Sequence, residues 1–181
     1  MRVIAGKCRS LQLKTPKGLN TRPTQDRIKE TLFNMIQNDV SGSVFLDLYS
    51  GSGGIGIEAL SRGAKKSYFF DNSKEAISCI EENLRFTKLE KDAVVLKGEL
   101  LSNLHLVKED HADIIFIDPP YQAGYENSLF DTFLKLRYIN EDTLIILESD
   151  ISKDFSFDGF MIVKEKIYKT NKHTFFRRKN G

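Results

Sequence analysis

The chain of 181 residues is long enough for one domain with a hydrophobic core, and its 40% hydrophobic and 29% charged residues are typical of globular proteins. No apolar run approaches the ~20 residues of a membrane span, and no secretory signal is visible. The two cysteines, Cys8 and Cys79, match neither a disulfide framework nor a zinc site. We therefore expect a cytoplasmic protein without a metal. The net charge is only +2, but it is unevenly distributed, because residues 1–30 and residues 164–179 each carry +6. Two basic ends of this kind indicate a nucleic-acid partner. The alternative is that they serve only solubility.

The first elements are basic. Residues 2–6 and 8–15 predict a small hairpin. A helix follows, with Thr24 as its expected cap, because apolar residues recur at helical spacing from Ile28 to Ile36. We therefore divide the chain into a basic extension, residues 1–23, and a main domain, residues 24–181.

From residue 44 onward, apolar strands alternate with helical patterns. Uninterrupted apolar runs predict strands at residues 44–49, 67–70, 93–97, 113–117 and 143–148. Helical spacing predicts helices at residues 54–63, 73–89, 100–107 and 126–136, the second of them capped by Ser73. This alternation is typical of a parallel sheet that helices cover on both faces.

The C-terminal part breaks the alternation. Residues 160–169 and 173–179 are two strand-like runs joined at residues 170–172, with no room for a helix, so they should pair antiparallel. The expected fold class is α/β: a Rossmann-like, seven-stranded, mostly parallel sheet with a C-terminal antiparallel hairpin and a small N-terminal hairpin extension.

A glycine-rich loop follows the first parallel strand in the stretch "DLYSGSGGIG". Gly51, Gly53 and Gly56 form G-x-G-x-x-G between a strand and a helix, and Asp71 lies 20 residues beyond Gly51. Glycines let the backbone approach a ligand closely, and an acid at the next strand end can bind ribose hydroxyls. The loop therefore indicates a nucleotide-type site rather than an ordinary glycine turn.

The acid Asp47, four residues before Gly51, bears on which nucleotide binds. A dinucleotide would bring a pyrophosphate to the helix N-terminus, where a carboxylate is unfavourable. S-adenosylmethionine carries no phosphate but has an ammonium and a sulfonium cation, which an acid suits. A purely structural role for Asp47 is the alternative.

The fourth parallel strand runs directly into Asp118, Pro119, Pro120 and Tyr121. Ligands of open α/β sheets bind beyond the carboxyl ends of the strands, so Asp118 should face the same crevice as Gly51. A carboxylate and a rigid backbone carbonyl can accept the two hydrogens of an exocyclic amine, and Tyr121 can stack on the base. A proline-containing loop with a capping acid is the alternative.

These motifs, with the N-terminal stretches "MRVIAGKCRSLQLKTP" and "TRPTQDRIKETLFNMI", closely resemble the bacterial 16S rRNA guanine-N2 methyltransferase family, whose members are class I S-adenosylmethionine-dependent enzymes. The similarity spans the chain as far as "FFRRK". The resemblance implies methyl transfer from S-adenosylmethionine to a guanine of 16S rRNA, free or in an assembling 30S subunit, by a monomer.

The resemblance also implies roles for individual residues. Glu99 stands where such enzymes often carry Asp or Asn toward the adenine, and it fits a solvated helix start equally well. The cofactor residues would be Asp47, Tyr49, Gly51, Ser52, Gly53, Gly56, Asp71, Asn72 and Glu99. The catalytic residues would be Asp118, Pro119, Pro120 and Tyr121. The RNA-contacting residues would be Arg2, Lys7, Arg9, Arg22, Thr24 and Arg27.

Three other functions stay open. A DNA adenine-N6 methyltransferase can use the same D-P-P-Y, although the chain has no room for a separate target-recognition domain. An NAD-dependent oxidoreductase fits the glycine spacing and leaves Asp47 and Asp118 unexplained. A noncatalytic RNA-binding module would fit the basic ends alone.

Overall fold

The computed structural model describes residues 1–17, 23–120 and 124–180, with the backbone alone at residues 23 and 24. Its strands are β1 (Val44–Leu48), β2 (Lys66–Asp71), β3 (Ala93–Lys97), β4 (Ile114–Ile117), β5 (Leu144–Asp150), β6 (Phe160–Ile167) and β7 (Asn171–Arg178). Its helices are α1 (Pro23–Met35), α2 (Gln37–Val40), α3 (Gly54–Ser61), α4 (Lys74–Thr87), α5 (Leu100–Leu104) and α6 (Tyr125–Phe133). A 3₁₀ turn at Glu90–Asp92 leads into β3.

One seven-stranded sheet has the order β3-β2-β1-β4-β5-β7-β6. Strands β1 to β5 are parallel, whereas β7 is antiparallel to both β5 and β6. The predicted α/β fold with a C-terminal hairpin is therefore confirmed. The order reverses between β1 and β4, and at such a switch point the loops beyond the strands diverge and leave a crevice.

Helices cover both faces of the sheet, which explains why the central strands are apolar without alternation. One core cluster joins the N-terminal segment, α1, α3 and α4 to Phe45, Phe69 and Phe116 of the sheet. The other joins α5, α6 and the segments after α6 to Leu46, Ile117 and other residues of the opposite face.

The turn of the C-terminal hairpin was predicted at the wrong residues. It lies at residues 168–170, where the Tyr168 N–H donates to the Asn171 carbonyl, and β7 already begins at Asn171. The polar residues Lys172 and His173, which the sequence placed in or next to the turn, are fully buried strand residues. Each has an acidic partner from another element, and no local pattern can show such a partner.

Several helix ends also differ from the prediction. Ser73 caps α4 as expected, accepting from the Ala76 N–H. Helix α1 begins at Pro23, so Thr24 lies in its first turn rather than at the cap. The predicted helices 54–63, 100–107 and 126–136 end early, at Ser61, Leu104 and Phe133. The apolar Leu106, which extended one of these patterns, is instead exposed.

The N-terminal segment doubles back as a hairpin, with an isolated antiparallel bridge between Arg2 and Gln12. It lies against α3, since the Lys7 N–H donates to the Ser61 carbonyl. Val3 and Leu13 are buried in the same core cluster as α1. In the described part of the chain, no helix is long and apolar enough to cross a membrane.

Candidate functional site

The carboxyl ends of β1, β2, β3 and β4 meet at one edge of the sheet, because these strands are parallel and in register. The glycine loop after β1, Asp71 at the end of β2, the Gly98 turn after β3 and Asp118 after β4 lie along this edge. The fold thus brings together the main residues that the sequence singled out.

The glycine loop needs left-handed backbone at three positions, with φ of 59° at Tyr49, 59° at Gly51 and 81° at Gly53. Open space surrounds the position of a Cβ on Gly51, whereas a Cβ on Gly56 would lie 2.4 Å from the Phe69 ring. Gly51 therefore keeps the backbone accessible to a ligand. Gly56 instead allows α3 to pack tightly on β2.

Asp71 holds the loop and borders a cleft. Its two carboxylate oxygens accept from the Gly51 N–H at 3.0 Å and from the Ser73 N–H at 2.9 Å. The cleft has an enclosed volume of only about 40 Å³ and is lined by Tyr49, Phe70, Asp71, Asn72, Gly98 and Leu100. This volume is far below the roughly 300–1,000 Å³ of typical small-molecule pockets, so the cleft would receive only one part of a larger ligand.

Asp47 is buried beneath the loop, where its Oδ2 accepts from the Gly56 N–H at 3.0 Å. Burial raises the pKa of Asp47 well above its usual value, and the nearby charges of Asp118 and Asp71 raise it further. Three carboxyl groups thus converge near the glycine loop. Such a crevice favours a ligand that carries positive charge, because the cation relieves their mutual repulsion.

Asp118 stands directly after β4, with Pro119 half-buried and Pro120 exposed. Desolvation by the surrounding protein raises the pKa of Asp118 to about 8, and the charge of Glu148 adds to the shift. The residue is nevertheless accessible to water, which moderates the desolvation. Tyr121 lies outside the described residues.

Glu99 caps α5. Its carboxylate accepts from the Leu101 N–H at 2.6 Å, the Ser102 N–H at 3.1 Å and the Ser102 hydroxyl at 2.7 Å. These hydrogen bonds lower the pKa of Glu99, with the Ser102 side chain as the largest cause. The solvated helix start that the sequence left open is thus present, and the cleft beside it is lined by Gly98 and Leu100.

Four of the six predicted RNA-contacting residues lie among the described residues, and all four are exposed basic side chains. Arg2, Lys7, Arg9 and Arg27 are exposed, and Arg2 contacts Asp26 at 4.0 Å. Arg22 and the side chain of Thr24 lie outside the described residues. Lys29, another basic residue among the first 30, is instead fully buried.

Sequence reasoning missed the buried Asn83, which connects the glycine loop to the N-terminal segment. Its Nδ2 donates to the Ser52 carbonyl and to the Lys14 carbonyl, each at 2.9 Å, and its Oδ1 accepts from the Lys14 N–H at 2.9 Å. The available signal was an amide on the apolar face of the amphipathic helix that also carries Ile80 and Leu84. A buried amide of this kind needs partners, so it marks a junction.

Among the residues that the structure describes, no group of three His, Cys, Asp or Glu side chains is placed to hold a metal ion.

Comparisons with known proteins agree with this architecture. A family model described as conserved hypothetical protein 95 matches residues 1–177. The chain is 39% identical over 152 residues, 83% of each protein, to YlbH of Bacillus subtilis, described as a candidate rRNA methyltransferase. It is 31% identical to the ribosomal RNA small subunit methyltransferase D of Haemophilus influenzae, over 92% of this chain and 88% of that protein. A solved structure of yhhF from Escherichia coli, described as a candidate methyltransferase, has a TM-score of 0.85 at 27% identity and covers 100% of this chain and 99% of its own.

Proposed function

We propose that this chain, which belongs to the conserved hypothetical protein 95 family, transfers a methyl group from S-adenosylmethionine to the N2 amine of a guanine in 16S rRNA. Its relatives include small-subunit rRNA methyltransferases, so methyl transfer to rRNA is the activity of the family members it resembles. The observation that carries the finer proposal is the placement of Asp118 on the acidic crevice beside the glycine loop.

The described residues fit S-adenosylmethionine at both ends. Asp71 and Asn72 border the cleft in which the adenosine would lie, and each oxygen of Asp71 keeps a lone pair for a ribose hydroxyl. Gly51 leaves its backbone open, and Asp47 and Asp118 supply negative charge near the loop. The cofactor, when bound, supplies a methyl group activated by its sulfonium, whose charge the acidic crevice complements.

Asp118 would act on the target base by orientation. An exocyclic amine is a weak nucleophile because its lone pair is delocalised into the ring. Asp118 would accept one hydrogen of the amine and a backbone carbonyl of the Pro119–Pro120 segment the other, which directs the lone pair toward the methyl group. Positioning of this kind lowers the barrier without a covalent intermediate. Asp118 would also take up the proton that the amine loses.

The exposed basic side chains support an RNA substrate. Arg2, Lys7 and Arg9 belong to the N-terminal segment that packs against α3, the helix that follows the glycine loop, and Arg27 lies on α1. Phosphates held there would position the RNA beside the crevice, and the target base would leave its stack to reach Asp118. The 1–23 extension would thus serve as an RNA-contacting part of the enzyme.

The test is methyl transfer from labelled S-adenosylmethionine to unmethylated 30S particles and to free 16S rRNA, followed by nucleoside analysis. The wild type should form N2-methylguanosine. Asp118→Asn should lose about 100-fold or more of the rate while binding the cofactor with near-normal affinity, because the amide no longer accepts hydrogen bonds on both atoms. Asp39→Asn, on exposed α2 at the other end of the sheet, is the matched control.

The same experiment separates the alternatives. An N6-methyladenosine product from DNA would indicate the adenine-specific reaction. Calorimetric binding of NAD in place of S-adenosylmethionine would indicate an oxidoreductase. Binding of RNA without transfer of label would leave a noncatalytic module.

A further inference from the structure

A second carboxylate stands beside Asp118. Strands β4 and β5 pair in parallel with Ile117, the last residue of β4, opposite Leu147, so Asp118 leaves the sheet beside Glu148 of β5. The negative charge of Glu148 acts on Asp118, which agrees with this placement. The pairing continues into β7, where Glu148 lies opposite His173. The row Asp118, Glu148 and His173 thus runs from the end of β4 across β5 to β7.

Glu148 is fixed by the buried His173, which in turn pairs with the half-buried Tyr168. The Nε2 atom of the fully buried His173 lies 2.6 Å from Glu148 Oε1. The other ring nitrogen, Nδ1, lies 2.8 Å from the Tyr168 hydroxyl, and the ring packs edge-on against Phe116 at 5.7 Å. Burial and the charge of Glu148 raise the pKa of Tyr168 to about 12, so the hydroxyl that pairs with Nδ1 stays protonated. A carboxylate can only accept a hydrogen bond, so the donor toward Glu148 is the histidine ring. His173 then presents Nε2–H to Glu148.

This arrangement leaves one carboxylate oxygen of Glu148 directed away from the histidine. The side chain is 22% exposed, and within the described residues Oε1 is the oxygen that makes a hydrogen bond. A base that reached Asp118 would meet this second acceptor on the neighbouring strand β5. The His173–Tyr168 pair restricts the rotamers of Glu148, so the acceptor is preorganised.

We propose that Glu148 determines the preference for guanine by accepting the N1–H of the target base while Asp118 accepts a hydrogen of its N2 amine. This inference rests on the proposed function. Guanine presents N1–H and the N2 amine as adjacent donors, which two neighbouring carboxylates match. A purine with a lone pair instead of a hydrogen at N1 would place one acceptor, N1, against another, the Glu148 carboxylate. An acceptor without a donor makes the binding free energy less favourable in a desolvated site. His173 and Tyr168 are positioning residues that act through Glu148.

The experiment uses 30S particles reconstituted with RNA in which the mapped target guanine is replaced by 2-aminopurine. This base keeps the 2-amino group but has a lone pair at N1. The wild type should prefer guanine by roughly 10- to 150-fold in kcat/KM, the range of one hydrogen bond to a charged group. Glu148→Gln should reduce this preference to less than about threefold, because an amide can present either an acceptor or a donor to N1.

Two further variants complete the design. Glu109→Gln is the matched control, since Glu109 is also half-buried and accepts from a tyrosine, Tyr68 at 2.7 Å, away from the crevice. It should keep the wild-type preference. If Glu148→Gln does not fold, Glu148→Asp withdraws the carboxylate by one methylene and must likewise reduce the ratio. Cofactor affinity, measured by calorimetry, should stay within twofold of wild type in all variants.

The outcomes distinguish the two proposals. If the wild type forms no N2-methylguanosine, the proposed function itself is rejected. If the wild type methylates guanine and Glu148→Gln slows both bases equally, Glu148 has only a structural role and this inference is overturned. A selective loss of the guanine preference supports it.

Discussion

Replacement of the buried Glu58 should detach the N-terminal segment from α3 and destabilise the whole chain. Glu58 is fully buried on α3, where its Oε1 accepts from the Ile4 N–H at 2.9 Å and its Oε2 from the Ala5 N–H at 3.1 Å. Arg62 donates to it at 2.7 Å, and the buried Lys29 ammonium lies 3.5 Å away. One carboxylate thus balances two cations and satisfies two backbone donors.

The magnitude follows from what Glu58→Ala leaves behind. The pKa of Lys29 is already lowered by burial, and Glu58 is the main group that opposes this shift. Removal of one partner of a buried ion pair costs about 3–5 kcal/mol, because the other charge stays without compensation. For a domain of this size, each kcal/mol lowers Tm by about 2–4 °C, so a decrease of roughly 6–20 °C is expected.

The assay is urea unfolding with a matched control. Glu82→Ala removes another ion-paired glutamate, whose partner Lys14 and whose own side chain are exposed, and should cost only about 0–1 kcal/mol. Hydrogen exchange at Ile4 and Ala5 should accelerate in Glu58→Ala and not in the control. A loss below about 1 kcal/mol in Glu58→Ala, or slow exchange at both amides, would refute this account of the N-terminal segment.

Four further predictions concern the crevice and the residues that support it. The kcat/KM of the free enzyme should rise as pH increases toward about 8, since protonated Asp118 cannot take up the proton that the amine loses; a flat profile would contradict it. Between its usual pKa of 3.8 and about 8, folded Asp118 holds a proton that the unfolded chain releases, so stability falls as pH rises through this window, and urea midpoints of Asp118→Asn should lack that decline. Gly51→Ala should weaken cofactor binding measured by calorimetry more than Gly56→Ala does, because the Gly51 site is open to the ligand. Gly56→Ala should instead cost about 1–3 kcal/mol of unfolding free energy from overpacking against Phe69, and equal binding losses would be inconsistent with these roles. Asn83→Leu should lower the unfolding free energy by about 1–3 kcal/mol, as buried partners lose their hydrogen bonds, and an unchanged urea midpoint would argue against its role.

The local features of the chain were predictable because each depends on neighbours in sequence. Apolar runs marked the strands from β1 to β5, and a glycine pattern marked the loop before α3. The cap at Ser73 also followed from its own few residues. Helix ends were less accurate, since the apolar Leu106 extended a periodic pattern although the fold leaves it exposed.

The roles of several charged residues could not be predicted in the same way. Lys29 belongs to a basic segment by sequence, yet it is buried because α1 packs over Glu58 of α3. The sequence left two roles open for Glu99, a contact with the adenine and a helix start, and in the structure its carboxylate caps α5. Cross-element partners determine the environment of such side chains, and the sequence holds no local signal for them.

By itself the sequence determined the order of the strands and helices, the glycine loop and the position of Asp118 at a strand end, because periodicity and turn chemistry act over a few residues. Only the tertiary structure decided that Asp118, Glu148 and His173 form one row. Their meeting depends on the register of β4, β5 and β7 and on the insertion of β7 between β5 and β6. That register is set by packing both faces of the sheet at once, a condition that involves residues far apart along the chain.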